Sequence, residues 1–238
     1  MFTRPHHQRI AKVLESLDAD LLKQHHCLFA GGTAIALGYG EYRESVDIDF
    51  LVSDLASYRY LRNLVREQGL QALMKSTDAG QVQTADIRID QYGIRTKVFV
   101  EGKPIKFEIV LEGRIGLAKP GKKDRILGVA SLTKLDMAVS KLLANSDRGL
   151  DVGMHCRDVI DLAMLSLNKS EFAEATTKGE AAYGEAILKD LAKVIDMLGE
   201  ANGLLERCMT AMDVSVPRAL LWQNISKVKS YIANGIPN

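Results

Sequence analysis

The sequence predicts an α+β protein in which a mixed-sheet domain is followed by a helical domain. Short apolar or alternating stretches, which are typical of strands, occur only in the first half of the chain. After Ser131 the apolar residues instead recur at helical spacing. The 238 residues are enough for two small domains with buried cores. We therefore expect a sheet domain at 1–125 and a helical domain at 126–238, joined through a Gly-, Lys- and Arg-rich linker at 113–128.

The predicted elements of the first half alternate between helices and strands. Turn-like Gln-Tyr-Gly and Glu-Gly-Lys-Pro segments separate the last three strands, which suggests an antiparallel meander. In chain order we predict a helix over 8–22, a strand over 27–30, a helix over 33–37, a strand over 46–52, a helix over 54–68, and strands over 81–90, 94–100 and 105–111.

The second half is predicted to be helical throughout. Apolar residues at helical spacing indicate two of its helices, and we find no convincing strand as far as Tyr231. The residues that set this spacing are Leu132, Leu135, Val139 and Leu142, and then Val159, Leu162, Ala163 and Leu165.

Composition limits the location and the partners of the protein. Its three cysteines are widely spaced without a CxxC motif, which fits a reducing cytosol, so we expect a cytoplasmic protein. No apolar run approaches the length of a membrane span. Residues 95–134 hold ten basic and four acidic residues, whereas 171–213 hold four basic and nine acidic. The basic segment could bind a polyanion, although mixed solvated faces would look the same.

Asp47 and Asp49 form the most informative pair in the chain. Residues two apart on a strand point to the same side, so the two carboxylates lie together while Val46, Ile48 and Phe50 face a core. Two such charges repel unless a cation lies between them, and oxygen ligands suit Mg²⁺ or Mn²⁺. The alternative is the solvated face of an edge strand.

A candidate phosphate cradle precedes this pair. Gly31 and Gly32 stand between a predicted strand and a predicted helix, where glycine lets the backbone turn tightly and approach a ligand. The free N–H groups at the start of that helix suit a phosphate, and Thr33 adds a hydroxyl. A plain tight turn is the alternative interpretation.

A third carboxylate, Glu108, alternates with the apolar residues of the last predicted strand. Ile105, Phe107 and Ile109 would face the core and Glu108 the opposite side. If its strand neighbours that of Asp47 and Asp49, the three acids could share two metal ions. An exposed strand glutamate is the alternative.

These motifs resemble those of the nucleotidyltransferase superfamily, and more closely those of the AbiEii/AbiGii toxin family, which includes the MenT toxins of mycobacteria. The resemblance implies a nucleotidyltransferase-like fold and covers residues 31 to 162, about half of the chain. The matching segments are Gly31-Gly32-Thr33, Arg43-x-Ser45-x-Asp47-Ile48-Asp49-Phe50, Lys141, and Arg157-Asp158-Val159-Ile160-Asp161-Leu162.

The resemblance implies a role for each matching residue. Mg²⁺ or Mn²⁺ would be the cofactor and a nucleoside triphosphate (NTP) the substrate. Because ligand sites often lie between domains, we also expect Asp47, Asp49 and the Gly31-Gly32 turn in one cleft between the two domains. The acceptor would be RNA, in particular tRNA, and a separate antitoxin protein would be the partner. Gly31, Gly32 and Thr33 would hold the triphosphate, and Asp47 and Asp49 would bind the metal. Lys141 would contact the β- and γ-phosphates, and Asp158 would lie near Lys141 or the acceptor and assist catalysis. Arg43 and Ser45 would brace the loop or touch the nucleotide.

The residues of the helical half allow a simpler interpretation as well. Lys134, Ala138 and Lys141 share one helix face, and a lysine is a point charge suited to a terminal phosphate, but a solvated helix lysine is the alternative. Two other functions also remain open. One is a same-fold enzyme acting on a protein hydroxyl or a small molecule, and the other is a non-catalytic nucleotide-binding module.

Overall fold

The computed structural model describes residues 2–77, 82–200 and 203–233. The chain forms two compact units, which we call the sheet unit and the helical unit. The sheet unit extends past residue 125 to Thr133, and the short segment Tyr39–Glu44 belongs to the helical unit rather than to the residues around it. The sheet unit is Met1–Gly38 with Ser45–Thr133, and the helical unit is Tyr39–Glu44 with Lys134–Asn238.

A mixed sheet forms the centre of the sheet unit. Its strands lie in the order β1-β2-β6-β5-β3, and β4 also pairs with β5. β1 and β2 are antiparallel, β2 and β6 are parallel, and β5 pairs antiparallel with β6, β3 and β4. The predicted mixed sheet and antiparallel meander are thus confirmed. The strands are β1 (Leu28–Ala30), β2 (Ile48–Val52), β3 (Gln83–Thr84), β4 (Arg88–Ile89), β5 (Gly93–Val100) and β6 (Lys103–Leu111).

The alternation of side chains gives this sheet one buried face and one open face. Phe29, Phe50 and Phe107 come from three neighbouring strands, and their ring centroids are 5.5 and 5.6 Å apart in turn. The intervening residues Asp49 and Glu108 are only half-buried on the opposite face. The open face is therefore the one that presents the carboxylates of Asp49 and Glu108 to a ligand.

The described part of the sheet unit holds four α-helices. The single helix predicted over 8–22 is wrong. The chain instead forms two helices, because the Asp18 carboxylate accepts hydrogen bonds from the N–H groups of Asp20 (3.1 Å) and Leu21 (2.9 Å). These bonds cap a new helix and end the previous one at Ser16. The helices are α1 (Pro5–Ser16), α2 (Ala19–Gln24), α3 (Gly31–Gly38) and α4 (Leu55–Gln68).

Two strand predictions need correction. The continuous strand over 81–90 is wrong, because only the two short strands β3 and β4 form there, and residue 81 lies outside the described residues. The strand predicted over 46–52 begins only at Ile48, and Val46 is 48% exposed instead of facing the core. The main chain before Ile48 bonds to side chains of α1 and α3 rather than to a neighbouring strand.

Helices make up the helical unit, as predicted. No strand is assigned between residues 131 and 233 wherever the structure describes that stretch. A short hairpin of β7 (Arg125–Ile126) and β8 (Val129–Ala130) closes the sheet unit. No helix in the described part of the chain has the length and apolar character needed to cross a membrane. The helices are α5 (Lys134–Arg148), α6 (Arg157–Met164), α7 (Lys169–Tyr183), α8 (Ala186–Glu200), α9 (Leu204–Ala211) and α10 (Arg218–Ala233).

Candidate active site

Gly31 lies directly against the carboxylate of Asp49. β1 ends at Ala30, which pairs with Asp49 of β2, and α3 begins at the next residue. A Cβ atom on Gly31 would lie 2.4 Å from Asp49 Oδ2, and Gly31 has a φ of +73°. Only glycine can adopt this positive φ without strain and also leave room for the Asp49 carboxylate. The expected proximity of the glycine turn and the aspartates is therefore observed for Asp49.

Thr33 positions the main chain of Asp47. Its side chain is buried, and Thr33 Oγ1 lies 2.5 Å from Asp47 O and 2.8 Å from Ser45 Oγ. Because a carbonyl oxygen can only accept, the Thr33 proton is directed to Asp47. The Thr33 hydroxyl thus positions the main chain of Asp47, and its contact with the triphosphate stays a prediction. Phosphate binding by the main-chain N–H groups of Gly31 and Gly32, and the bracing role of Ser45, also stay predictions.

Two histidines that the sequence analysis did not use also hold this segment. His7 is fully buried, and its Nε2 accepts a hydrogen bond from the Ser45 N–H (3.1 Å). His6 Nε2 lies 3.0 Å from Val46 O. The helical spacing of α1 could have indicated that His7 is buried, because His7 shares the apolar face of this helix with Ile10. We infer that these histidines set the position of the chain that leads into Asp47.

Glu108 neighbours Asp49 and carries a cation on each carboxylate oxygen. The two residues are directly opposite in the parallel β2–β6 pairing. Glu108 Oε1 lies 3.2 Å from Arg95 Nε, and Oε2 lies 2.6 Å from Lys106 Nζ. Arg95 Nη1 also donates to Asp90 Oδ2 at 3.0 Å. Glu108 is thus placed as a third acid, and its role as a metal ligand stays a prediction.

The charges of the open face act together on Lys106. Partial burial alone would lower the pKa of the Lys106 ammonium, but the carboxylates of Glu108, Asp47 and Asp49 raise it above its ordinary value. Among the residues that the structure describes, no three His, Cys, Asp or Glu side chains converge as a metal site. Asp47 and Asp49 nevertheless supply the hard oxygen donors that fit Mg²⁺ or Mn²⁺. The side-chain-free Gly31 leaves a cradle beside them that a Cβ would fill.

A separate cluster of buried charges lies in the helical unit and contains the other predicted site residues. Lys141 Nζ lies 2.9 Å from Asp158 Oδ1 and 2.7 Å from Asp161 Oδ2. Arg148 Nε donates to Asp158 Oδ2 at 2.8 Å, and Arg43 Nε donates to Asp161 Oδ1 at 2.6 Å. Asp158 therefore lies beside Lys141, as the resemblance implies, and its part in catalysis stays a prediction.

Asp161 is the centre of this cluster. Arg43 contacts both of its oxygens, through Nε at 2.6 Å and Nη2 at 2.8 Å, and the Tyr42 hydroxyl donates to Oδ1 at 2.6 Å. Burial alone would raise the pKa of Asp161, but the charges of Lys141 and Arg43 lower it. Arg43 is itself buried. It therefore braces the segment Tyr39–Glu44 against α6.

Lys141 acquires a structural role from these contacts. Only 4% of the residue is exposed, and two of its three N–H groups face aspartates. Lys134, on the same helix, instead pairs with Glu171 at 2.9 Å. The contact of Lys141 with the triphosphate stays a prediction, as does nucleotide binding between the two domains.

We expect Gly31→Ala to disrupt the site, with Gly128→Ala as its control. Both glycines have a positive φ, but a Cβ on Gly128 would meet nothing within 4 Å. Each variant should lose about 1–2 kcal/mol of stability from the strained backbone. Only Gly31→Ala should also displace the Asp49 carboxylate and weaken Mn²⁺ binding, as measured by titration calorimetry. Equal Mn²⁺ affinities in the two variants would contradict the proposed contact.

Solved structures of other proteins resemble the chain. The crystal structure of JHP933 from Helicobacter pylori matches with a TM-score of 0.55 at 16% identity, covering 98% of this chain and 93% of that chain. At this identity the similarity shows the fold alone. A second crystal structure from H. pylori has a TM-score of 0.48 at 16% identity, covering 96% of this chain and 92% of that one. None of the curated proteins compared with the chain matches it.

A family profile identifies the protein family, which structural similarity at 16% identity does not. The profile described as nucleotidyl transferase AbiEii toxin, type IV toxin–antitoxin system, matches residues 12–213, which is most of the chain. The match includes the Gly31 turn, the Asp47–Asp49 pair and the buried cluster around Asp161. The chain therefore belongs to the AbiEii nucleotidyltransferase toxin family of type IV toxin–antitoxin systems.

Proposed function

We propose that the protein binds an NTP with Mg²⁺ or Mn²⁺ and transfers the nucleoside monophosphate to RNA, with tRNA as the acceptor class. Family membership supports nucleotidyl transfer and a cognate antitoxin partner. The observation that carries the finer proposal is the Asp49 carboxylate held against Gly31 at the start of α3. It puts a candidate metal ligand beside the N–H groups of a helix N-terminus, where a phosphate is favoured.

Each residue of the sheet unit has a role in this proposal. Asp47 and Asp49 would hold the ion, and Gly31 and Gly32 would direct main-chain N–H groups at the triphosphate. Thr33 holds the main chain of Asp47 through the hydrogen bond to its carbonyl oxygen. The bound ion would offset the negative charge that develops on the phosphoryl group and on the leaving pyrophosphate. Preorganised charge of this kind is a major source of catalysis.

The helical unit would supply Lys141 and Asp158. Lys141 has one N–H group beyond the two directed at Asp158 and Asp161. In this proposal that group would contact the β- or γ-phosphate. Asp158 is bound by both Lys141 and Arg148, and these charges lower its pKa despite its burial. It would remain ionised and hold the lysine in position.

RNA is the proposed acceptor because basic side chains are exposed in the sheet unit. The segment from residue 95 to residue 125 carries an excess of positive charge, which suits a phosphate backbone. The hairpin of β5 and β6 also carries Glu108, which is a neighbour of the proposed metal ligand Asp49. The exposed members are Lys97, Lys103, Lys106, Arg114, Lys119, Lys122, Lys123 and Arg125.

The test is to find which molecule becomes labelled. The protein is incubated with Mg²⁺ or Mn²⁺ and each α-labelled NTP in turn, with total RNA, with purified tRNA, or alone. We expect label in tRNA for at least one NTP. Label in the protein or in a small-molecule acceptor would favour an enzyme with another acceptor. NTP binding without any transfer would indicate a non-catalytic module.

A further inference from the structure

The open face of the sheet holds positive charges as well as the three acids. Arg95 and Lys106 each contact one oxygen of Glu108, so both oxygens of this carboxylate have a cationic partner within the chain. Asp49 lies opposite Glu108 on the next strand, and the charges of Asp47 and Asp49 also act on Lys106. A divalent ion that binds beside Glu108 would therefore have to compete with Arg95 and Lys106 for its carboxylate oxygens.

The two cations are held differently. The Arg95 guanidinium contacts both Asp90 and Glu108 and lies across Gly93, where a Cβ would come within 2.9 Å of its Cζ. Arg95 is thus fixed on three sides. Lys106 has a flexible side chain that is 50% exposed, so water can replace Glu108 as the partner of its ammonium group. Lys106 is the cation that can leave.

We propose that Lys106 is the resident counter-cation of this set, and that Glu108 becomes a metal ligand only when Lys106 releases it. The inference rests on the proposed function, because it takes Asp47 and Asp49 as the metal-binding pair. A metal ion on Glu108 Oε2 would repel the Lys106 ammonium that is bonded to the same oxygen, so Lys106 competes with the metal. Arg95 stays in place and keeps Glu108 oriented. Lys106 is thus a positioning residue that sets the affinity for the ion.

The direct test measures Mn²⁺ binding rather than transfer. Binding of Mn²⁺ alone to the whole protein is followed by titration calorimetry and by the electron paramagnetic resonance signal of free Mn²⁺. Lys106→Met should bind Mn²⁺ about tenfold more tightly than the wild type, because pairing of this kind typically shifts ionic equilibria by a factor of ten or more. In a Glu108→Gln background the same change should give a clearly smaller gain.

Lys97→Met is the matched control. Lys97 is paired with Lys106 across β5 and β6, so it lies on the same face, and it is exposed. Within the described residues no ion pair of Lys97 is found. Its removal should change the affinity by about twofold or less, because solvent and salt screen an exposed charge.

The possible outcomes separate this inference from the proposed function. Wild-type protein that binds no Mn²⁺ would overturn the metal-dependent proposal and this inference with it. Wild-type protein that binds Mn²⁺, with equal or weaker binding by Lys106→Met, would overturn the inference alone. A tenfold gain that persists unchanged in the Glu108→Gln background would also overturn it, since the effect would not pass through Glu108.

Discussion

Asp49→Asn should abolish nearly all nucleotidyl transfer while leaving the fold intact. The substitution keeps the shape that fits against Gly31 and removes the charge proposed to hold the ion. Loss of one preorganised charged group of this kind lowers the rate by on the order of 10²–10³ or more. The measurement is the initial rate of label transfer from the preferred α-labelled NTP into RNA at saturating Mn²⁺.

Asp86→Asn is the control for this variant. Asp86 is an exposed aspartate of the same unit, away from β2 in sequence. It should transfer at the wild-type rate. If Asp49→Asn kept a rate comparable with that of Asp86→Asn, Asp49 would not bind the catalytic ion.

The second large effect is expected on stability, from Asp161→Ala. Asp161 is completely buried and bonds to Arg43, Lys141 and Tyr42. Its removal takes the carboxylate partner from the buried Arg43 and leaves Lys141 paired with Asp158 alone. Breaking a buried ion pair from one side typically costs about 3–5 kcal/mol. Because Trp222 is the only tryptophan and lies on α10, urea unfolding followed by its fluorescence reports on the helical unit.

A surface ion pair of the same unit provides the comparison. Glu185 and Lys189 lie 3.3 Å apart with side chains 85% and 69% exposed, so Glu185→Ala should leave the urea midpoint close to that of the wild type. A midpoint for Asp161→Ala as high as that for Glu185→Ala would show that the buried cluster does not stabilise the helical unit.

Local patterns in the sequence were sufficient for the fold class and for the strand face of two candidate acids. The strand period of two assigned Asp49 and Glu108 to the face opposite Phe50 and Phe107, and the structure confirms that assignment. The helical period identified the second half correctly. These features are decided by neighbours along the chain, and so a single sequence carries them. The prediction over 8–22 was wrong because the cap at Asp18 competes with the helix at one position.

Only the tertiary structure decided which charges meet. The parallel pairing of β2 with β6 joins Asp49 to Glu108, and no local period specifies that partnership. It also decided that Glu108 is paired with Lys106. Arg43 and Asp161 are far apart in sequence, yet they form one buried ion pair. Sequence spacing could place each side chain on a face of its own element, but burial and counter-ions depend on what packs there, which is a property of the folded chain.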